Sequence, residues 1–297
     1  MTAQLRDQLG QWGIWRGGYQ LTGELAASIE EYGFGALWVG GSPDGDLVLI
    51  EQLLAATSTL TVGTSIVNIW KDDAHEVARS FARLRQRFPG RFVLGVGAGH
   101  PEATQQYQRP YQTLASYVDT LLDDGVPRDA LVLAALGPRV LRLARDRTAG
   151  AIPYLVPPEH TRLAREILGP GPLLAPEQKA VLGTDLTRAR ALGRERVRKP
   201  YLGLVNYTSN LRRFGWTDAD LSDGGSDALI DALVAHGSAE QVAAQLARHL
   251  EAGADHVVVQ LLTEPDADPR PGYRQLAQAL KTRRTSAPPC RPGAARP

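Results

Sequence analysis

The segment GVGAGH at residues 95–100 is the stretch of this chain best suited to chemistry. Glycines let the backbone approach a flat or anionic ligand closely and leave N–H groups exposed to it. The imidazole of His100 can donate or accept a proton near neutral pH. A dinucleotide fingerprint, G-x-G-x-x-G, would need glycine at position 100, so that interpretation fails. The alternative interpretation is a glycine-rich turn followed by a structural loop histidine.

A second segment with a chemical interpretation is LGPR at residues 136–139, where an apolar strand turns directly into a helix. The N-terminus of a helix favours an anion, typically a phosphate. The structural alternative is that Gly-Pro is a common way to begin a helix. Cys290 is the only cysteine, and no two histidines share metal-ligand spacing with a carboxylate, so we expect neither a disulfide nor a metal site. No serine lies in a G-x-S-x-G elbow.

The elements that would position these residues are parallel strands joined by helices. Residues 60–100 are typical of a βαβ unit, because two apolar runs, Thr61–Ile69 and Phe92–Val96, flank an amphipathic segment. Ligands of such units bind at the C-terminal ends of the strands. Strands starting near residues 9, 36, 61, 92, 131, 151, 179 and 256 make eight, which predicts a (β/α)8 TIM barrel rather than an open sheet.

The domain organisation follows from the same pattern. Residues 1–283 are predicted to form a single TIM-barrel domain. Residues 200–236 contain helical pieces without an obvious strand, which indicates a helical insertion near the barrel mouth. Residues 284–297 lack apolar periodicity, so we expect a disordered C-terminal tail.

The remaining aromatic and imidazole side chains have plainer interpretations. His75 is expected to be exposed, and His160, His236 and His249 are expected on the surfaces of helices. The tyrosines at helical positions are expected to be packing residues: Tyr107, Tyr111, Tyr201 and Tyr207.

Composition limits the classes of function. The chain has 33 basic and 32 acidic residues, so no strong field favours nucleic acid or an anionic membrane. A hydrophobic content of 43% is ample for a core, and no apolar run approaches the length of a membrane span. The polar start MTAQLRDQLG lacks a signal sequence. These features predict a soluble cytoplasmic protein.

Four segments together resemble a known family: TVGTSIVNIW, FPGRFVLGVGAGHPE, AALGPRVL and HLEAGADHVVVQLL. They are similar to the luciferase-like monooxygenase superfamily, in its probable coenzyme F420-dependent oxidoreductase subgroup. The resemblance extends from about residue 9 to residue 281, in the expected order. It implies a homodimeric (β/α)8 barrel with a deazaflavin lying across the strand ends.

The resemblance also implies site residues. A non-prolyl cis peptide at Ser65–Ile66 would back the deazaflavin ring. The implied cofactor contacts are Ser65, Ile66, Asn68, Ala98 and Gly99, with Leu136, Gly137, Arg139 and Val140 around the phosphate.

The chain departs from the pattern of the family that it resembles at the positions where proton transfer would occur. Well-studied dehydrogenases of the family have Asp-His after the second strand and Gly-Glu after the fourth, whereas this chain has Gly41-Ser42 and Gly99-His100. Oxidation of a sugar phosphate by that acid–base pair is therefore not expected. His100 becomes the candidate for proton transfer, with Ser42 and Trp70 as candidate substrate contacts. We therefore expect hydride transfer between F420 and an unidentified small organic substrate. The alternatives are an FMN-dependent monooxygenase and a non-catalytic barrel that binds a cofactor or metabolite.

Overall fold

Strands and helices alternate along the chain, as the sequence predicts, in a computed structural model that describes residues 2–100 and 109–286. The strands are β1 (Trp12–Gly17), β2 (Ala36–Gly40), β3 (Thr61–Ser65), β4 (Val67–Asn68), β5 (Phe92–Gly97), β6 (Leu131–Leu133), β7 (Gly150–Ala151), β8 (Leu173–Leu174), β9 (Glu177–Leu182), β10 (Val234–Gly237) and β11 (Val257–Leu261). The helices are α1 (Thr2–Leu9), α2 (Gly23–Tyr32), α3 (Val48–Ala55), α4 (Ala74–Arg87), α5 (Pro110–Asp123), α6 (Pro138–Arg147), α7 (Pro158–Leu168), α8 (Leu186–Arg198), α9 (Val205–Arg213), α10 (Asp218–Leu221), α11 (Asp227–Leu233), α12 (Ala239–Glu251) and α13 (Arg270–Ser286).

The strands form a closed parallel barrel. The sheet runs in the order β11, β1, β2, β3, β5, β6, β7 and β8, and every pairing between these neighbours is parallel. β8 continues into β9 through Ala175 and Pro176. The Ala175 amide donates to the Ala151 carbonyl, and the Val258 amide donates to the Pro176 carbonyl, both at 2.9 Å. The segment 173–182 therefore joins β7 to β11 and closes the sheet.

Eight strand positions make up this barrel when β4 is counted with β3 and β9 with β8. β10 pairs with β9 in parallel and belongs to the segment predicted as an insertion. The prediction of a (β/α)8 barrel is confirmed. Because the strands are parallel, their C-terminal ends meet on one face, which is where a ligand would bind.

Helix α4 illustrates how the sequence builds the outer layer. The Asp73 carboxylate caps its N-terminus by accepting hydrogen bonds from the amides of His75 and Glu76, at 3.0 and 3.2 Å. The apolar residues that follow at helical spacing are buried against the barrel, namely Val77, Phe81 and Leu84. Burial of this face packs α4, the connection between β4 and β5, against the outside of the barrel.

Several predicted boundaries were wrong. The first strand begins at Trp12, because Leu9 ends helix α1 and the left-handed Gly10 terminates it. The strand predicted from Ala151 stops at once, since Pro153 lacks the N–H that a ladder needs. The segment 200–236 does contain a strand, β10, which is too short to recognise without its partner β9.

The C-terminal prediction was also wrong in part. Helix α13 continues to Ser286, so residues 284–286 are helical rather than disordered. The rest of the predicted tail, residues 287–297, lies outside the described residues. Within the residues that the structure describes, no helix combines the length and the apolar character needed to cross a membrane.

Candidate functional site

A cavity of about 530 Å³ lies at the C-terminal ends of the barrel strands, and we call it the ring cavity. It brings together ten of the twelve residues predicted for the site: Ser42, Ser65, Ile66, Asn68, Ala98, Gly99, His100, Leu136, Gly137 and Val140. The two that do not line it are Trp70 and Arg139. Residues from strand ends that are far apart in sequence therefore converge on one site.

One wall of the ring cavity is formed where β3 gives way to β4. The peptide bond between Ser65 and Ile66 is cis, as the resemblance implies. The Trp15 indole N–H donates a hydrogen bond to the Ser65 hydroxyl at 3.2 Å. Ile66 presents an apolar side chain to the cavity beside Ala98, Ala134 and Ile152. This wall is small, apolar and suited to the face of a flat ring.

The turn after β5 forms the adjoining wall. Gly99 has a φ of +58°, and a Cβ atom there would lie 2.9 Å from Asn68 Nδ2, so glycine is required on both counts. The Trp70 indole N–H donates to the Ala98 carbonyl at 2.7 Å. The Asn68 Oδ1 atom accepts from the Trp70 amide at 3.0 Å. Trp70, predicted as a substrate contact, thus does not line the cavity but stabilises the turn through these hydrogen bonds.

The end of the ring cavity beside α6 has the features of an anion site. Gly137 precedes Pro138, the first residue of this ten-residue helix, and both the helix N-terminus and its amides favour an anion. The Arg139 guanidinium stacks over the Tyr111 ring at 4.1 Å rather than lining the cavity. Arg213 was not predicted from the sequence. Its Nη1 atom lies beside Gly137, 3.6 Å from the position that a Cβ atom on that glycine would take.

An aromatic wall closes the ring cavity from the side of the insertion; it consists of Tyr154, Tyr201 and Tyr207. The His100 ring lies 5.5 Å from Tyr207 and 6.2 Å from Tyr201, measured between centroids. The Tyr201 hydroxyl donates to that of Tyr154 at 3.1 Å, and Tyr154 donates to Gln260 Oε1 at 2.7 Å. The prediction that the tyrosines at helical positions are packing residues was wrong for Tyr111, Tyr201 and Tyr207, which line the cavity, and Tyr107 lies outside the described residues.

Burial keeps these phenols neutral. It raises the pKa of Tyr201 to about 12 and raises the pKa values of Tyr154 and Tyr207 well above their ordinary value. At physiological pH the three side chains therefore act as hydrogen-bonding groups that carry no charge.

A buried ion pair lies behind the aromatic wall, on strand β9. Lys179 Nζ is 3.1 Å from Glu177 Oε1, and the two side chains are only 1% and 3% exposed. The ammonium also lies 4.0 Å from the centroid of the Tyr154 ring, a cation–π contact. The Leu155 amide donates to Glu177 Oε2 at 3.0 Å. Sequence analysis missed this pair, although two charges two residues apart in an apolar strand must point to the same face.

Two histidines predicted at the surface are instead buried. His160 Nε2 donates to the Leu136 carbonyl at 2.9 Å, which ties α7 to the anion end of the ring cavity. His249 lies between Thr161 and Gln178, at 2.7 Å from each. His236 belongs to strand β10 rather than to a helix and contacts Asp231 at 2.9 Å. His75 is exposed, as expected, with 60% of its side chain accessible. Over residues 2–100 and 109–286, no three potential ligands cluster as a metal site would require.

Comparison with known proteins gives a family match over the first half of the chain. The sequence model of the family described as luciferase-like monooxygenase matches residues 8–169. An uncharacterised protein of Bacillus subtilis, YwcH, is 31% identical over 129 residues, which cover 35% of this chain and 38% of that protein. The F420-dependent glucose-6-phosphate dehydrogenase of Nakamurella multipartita is 31% identical over 87 residues, 26% of either chain. The chain thus spans well under half the length of these curated relatives.

Solved structures of similar shape cover almost the whole fold. An F420-dependent secondary alcohol dehydrogenase in complex with an F420–acetone adduct superposes with a TM-score of 0.71 at 18% identity, over 91% of this chain and 98% of that chain. The oxygenating constituent of 3,6-diketocamphane monooxygenase from Pseudomonas putida, in complex with FMN, superposes with a TM-score of 0.66 at 17% identity, over 91% and 97%. At these identities the likeness concerns the fold.

Proposed function

The chain belongs to the luciferase-like monooxygenase family, and we propose on that basis that it is a coenzyme F420-dependent oxidoreductase. The reaction would be a hydride transfer between the deazaflavin and a small organic substrate. Structural neighbours of the family bind F420 or FMN, and the F420-dependent dehydrogenase among the sequence relatives favours the deazaflavin. The proposal concerns the ring cavity and the residues that line it.

The observation that carries the proposal is that the ring cavity has an apolar wall at one side and the N-terminus of α6, with Arg213 beside it, at one end. Ile66 and Ala98 provide a surface for a flat ring, whereas Gly137 and Arg213 provide a cradle for a phosphate. Asn206 Oδ1 is buried on the same cavity without a hydrogen-bond partner among the described residues, which leaves it for a ligand. The volume of about 530 Å³ falls in the range of sites for small organic ligands.

The chemistry divides between the cofactor and the protein. F420, when bound, supplies or accepts the hydride. The turn at residues 98–100 and the Ile66 side chain would orient the ring, and Gly137 with Arg213 would hold the phosphate. The His100 imidazole, which lines the cavity, would donate or accept the proton that accompanies hydride transfer. Tyr201 and Tyr207 line the same cavity and would exclude water from it once cofactor and substrate are bound.

An FMN-dependent monooxygenase is the second candidate, because an apolar wall and a phosphate cradle suit any flat ring that carries a phosphate chain. A binding experiment separates the two. The cofactor-free protein is mixed with F420 or with FMN at micromolar concentrations and passed through a desalting column, and the absorbance of the eluted protein is recorded. We expect F420 to be retained. Retention of FMN alone, with oxygen consumption by the reduced flavin, would replace the proposal with the second candidate, and retention of neither would overturn both.

A pair of glycine variants makes that experiment specific to the ring cavity. Gly99 and Gly90 both have positive φ, +58° and +75°, so alanine strains the backbone at either position. Only at position 99 would the new Cβ also collide with a side chain, Asn68, because nothing lies within 4 Å at position 90. We therefore expect Gly99→Ala to weaken F420 binding and Gly90→Ala to leave it unchanged. Equal affinities of the two variants would place the cofactor elsewhere.

Replacement of His100 tests proton transfer. His100→Ala should reduce turnover of ketone, enone or alcohol substrates by about 100-fold or more if the imidazole is the general acid or base. Retention of F420 on the desalting column should remain as in the wild type, since no proton moves on binding. Unchanged turnover would remove His100 from the mechanism.

A further inference from the structure

A second cavity, of about 410 Å³, lies on the other side of the aromatic wall, and we call it the basic cavity. It shares four lining residues with the ring cavity, namely Trp15, Gly41, Tyr154 and Tyr201. Its remaining lining comes from the ends of β1 and β11 with the residues that follow them, from Lys179 on β9, and from the last turn of α8 with the two residues after it. A ligand that extends past Tyr154 and Tyr201 would therefore occupy both cavities.

The lining of this cavity is rich in cations, which are Arg16, Lys179, Arg196 and Lys199. Lys179 is neutralised by Glu177, but in the described part of the chain none of the other three lies within 4 Å of a carboxylate oxygen. The lining carboxylates, Glu264 and Asp266, are exposed, and Glu264 is paired with Arg188 at 3.0 Å. The cavity therefore retains an excess of positive charge.

Arg16 is the residue that points to a ligand. It is only 9% exposed, and its Nε atom is buried without a hydrogen-bond partner among the described residues. The bond from Nη1 to the Tyr273 hydroxyl is long, at 3.4 Å. A buried guanidinium with no carboxylate in direct contact is unfavourable, and an anion bound to it would compensate that cost. Its planar fork matches the oxygens of a carboxylate or a phosphate.

We propose that the basic cavity binds the phosphate or carboxylate group of the substrate, through Arg16, Arg196 and Lys199. This inference rests on the proposed function, because it names the substrate class for the same site. The substrate is then an organic anion whose uncharged end, with the carbon that exchanges the hydride, passes Tyr154 and Tyr201 to lie beside His100. Of the predicted contacts of the cofactor phosphate, Leu136, Gly137 and Val140 line the ring cavity, and none lines the basic cavity. We therefore assign the anion in the basic cavity to the substrate.

Calorimetric titration of the cofactor-free protein tests the anion site without requiring turnover. Inorganic phosphate and acetate are titrated separately at constant ionic strength, and we expect at least one to bind saturably. Arg196→Gln and Lys199→Gln should each weaken that binding by about tenfold, as expected for loss of a charge-assisted hydrogen bond. Both residues are exposed, so these variants should fold even if Arg16→Gln does not. Arg162→Gln, an exposed cation on α7 that does not line the cavity, is the matched control.

The possible results of the titrations distinguish an anion site for the substrate from a site for the cofactor. Absence of saturable binding by both anions, or equal affinities in the cavity variants and in Arg162→Gln, overturns the proposal. A second titration uses protein loaded with F420. Persistence of anion binding supports the assignment to substrate, whereas its loss would assign the basic cavity to the cofactor and overturn it. Failure of F420 to bind would contradict the proposed function, yet the first titration would still decide the anion site.

Discussion

Acidification from about pH 7.5 to about pH 5 should lower the free energy of unfolding by roughly 6 kcal/mol, about 2 kcal/mol for each of three buried histidines. Burial lowers the pKa of His160 and of His256 to about 4 and that of His249 to about 3, from an ordinary value of 6.5. Between these pH values the three histidines therefore bind protons in the unfolded chain but remain neutral in the folded chain. Their stabilising contribution is complete above pH 6.5 and is lost as the pH falls towards about 4.

The hydrogen bonds of His256 explain why it stays neutral. The Trp38 indole N–H donates to His256 Nε2 at 3.1 Å, so that nitrogen must carry a lone pair. The other ring nitrogen, Nδ1, donates to the Gly10 carbonyl at 2.8 Å. Protonation would set two N–H groups against each other at a site with no exposed surface. The neutral tautomer is therefore built into the base of the barrel.

Urea unfolding of the wild type and two variants at both pH values measures the effect. His256→Gln removes one of the three titrating groups, so its stability should fall less between the two pH values, by about 2 kcal/mol. His75→Gln is the control, because that side chain is 60% exposed. The same loss of stability in all three proteins would show that burial of the imidazoles does not govern the acid limit.

The barrel and most of the ring cavity could be predicted because they depend on local patterns. Apolar strands followed by amphipathic helices predict parallel strands, and parallel strands carry their C-terminal ends to one face. Residues placed there by sequence position alone, such as Asn68, Gly99 and Gly137, do line one cavity. Trp70 and Arg139 do not, because position along a turn or helix leaves the direction of the side chain undetermined until its partner is known.

The rest of the site could not be predicted because it depends on contacts between distant segments. Tyr201 and Tyr207 reach the cavity only because the insertion is anchored by β10, whose pairing with β9 has no local signal. His249 looked like a surface residue on an amphipathic helix, since its partner Gln178 is 71 residues away. The surroundings of Lys179 could not be predicted either, because the Tyr201 ring that its ammonium contacts belongs to a distant segment of the chain.

Breaking the buried ion pair behind the aromatic wall should strongly destabilise the fold. Lys179→Met is expected to lower the free energy of unfolding by about 3–5 kcal/mol, because it leaves the carboxyl group of Glu177, which is only 3% exposed, without its counter-ion. Arg79→Met is the matched control. Arg79 lies 3.8 Å from Glu76, but both side chains are 70% exposed. Loss of that surface pair should cost less than about 1 kcal/mol in the same urea titration.

A double variant separates the contribution of the Lys179 charge from the contribution of its side-chain packing. Glu177→Gln combined with Lys179→Met keeps an acceptor for the Leu155 amide and removes both charges, so it should recover most of the stability lost in Lys179→Met alone. Equal losses in the single and double variants would mean that packing of the lysine stem, rather than its charge, stabilises the wall. If the double variant is stable, the pair contributes little net stability. The role of the pair would then be to position the rings of Tyr154 and Tyr201, which the Lys179 ammonium contacts, between the two cavities.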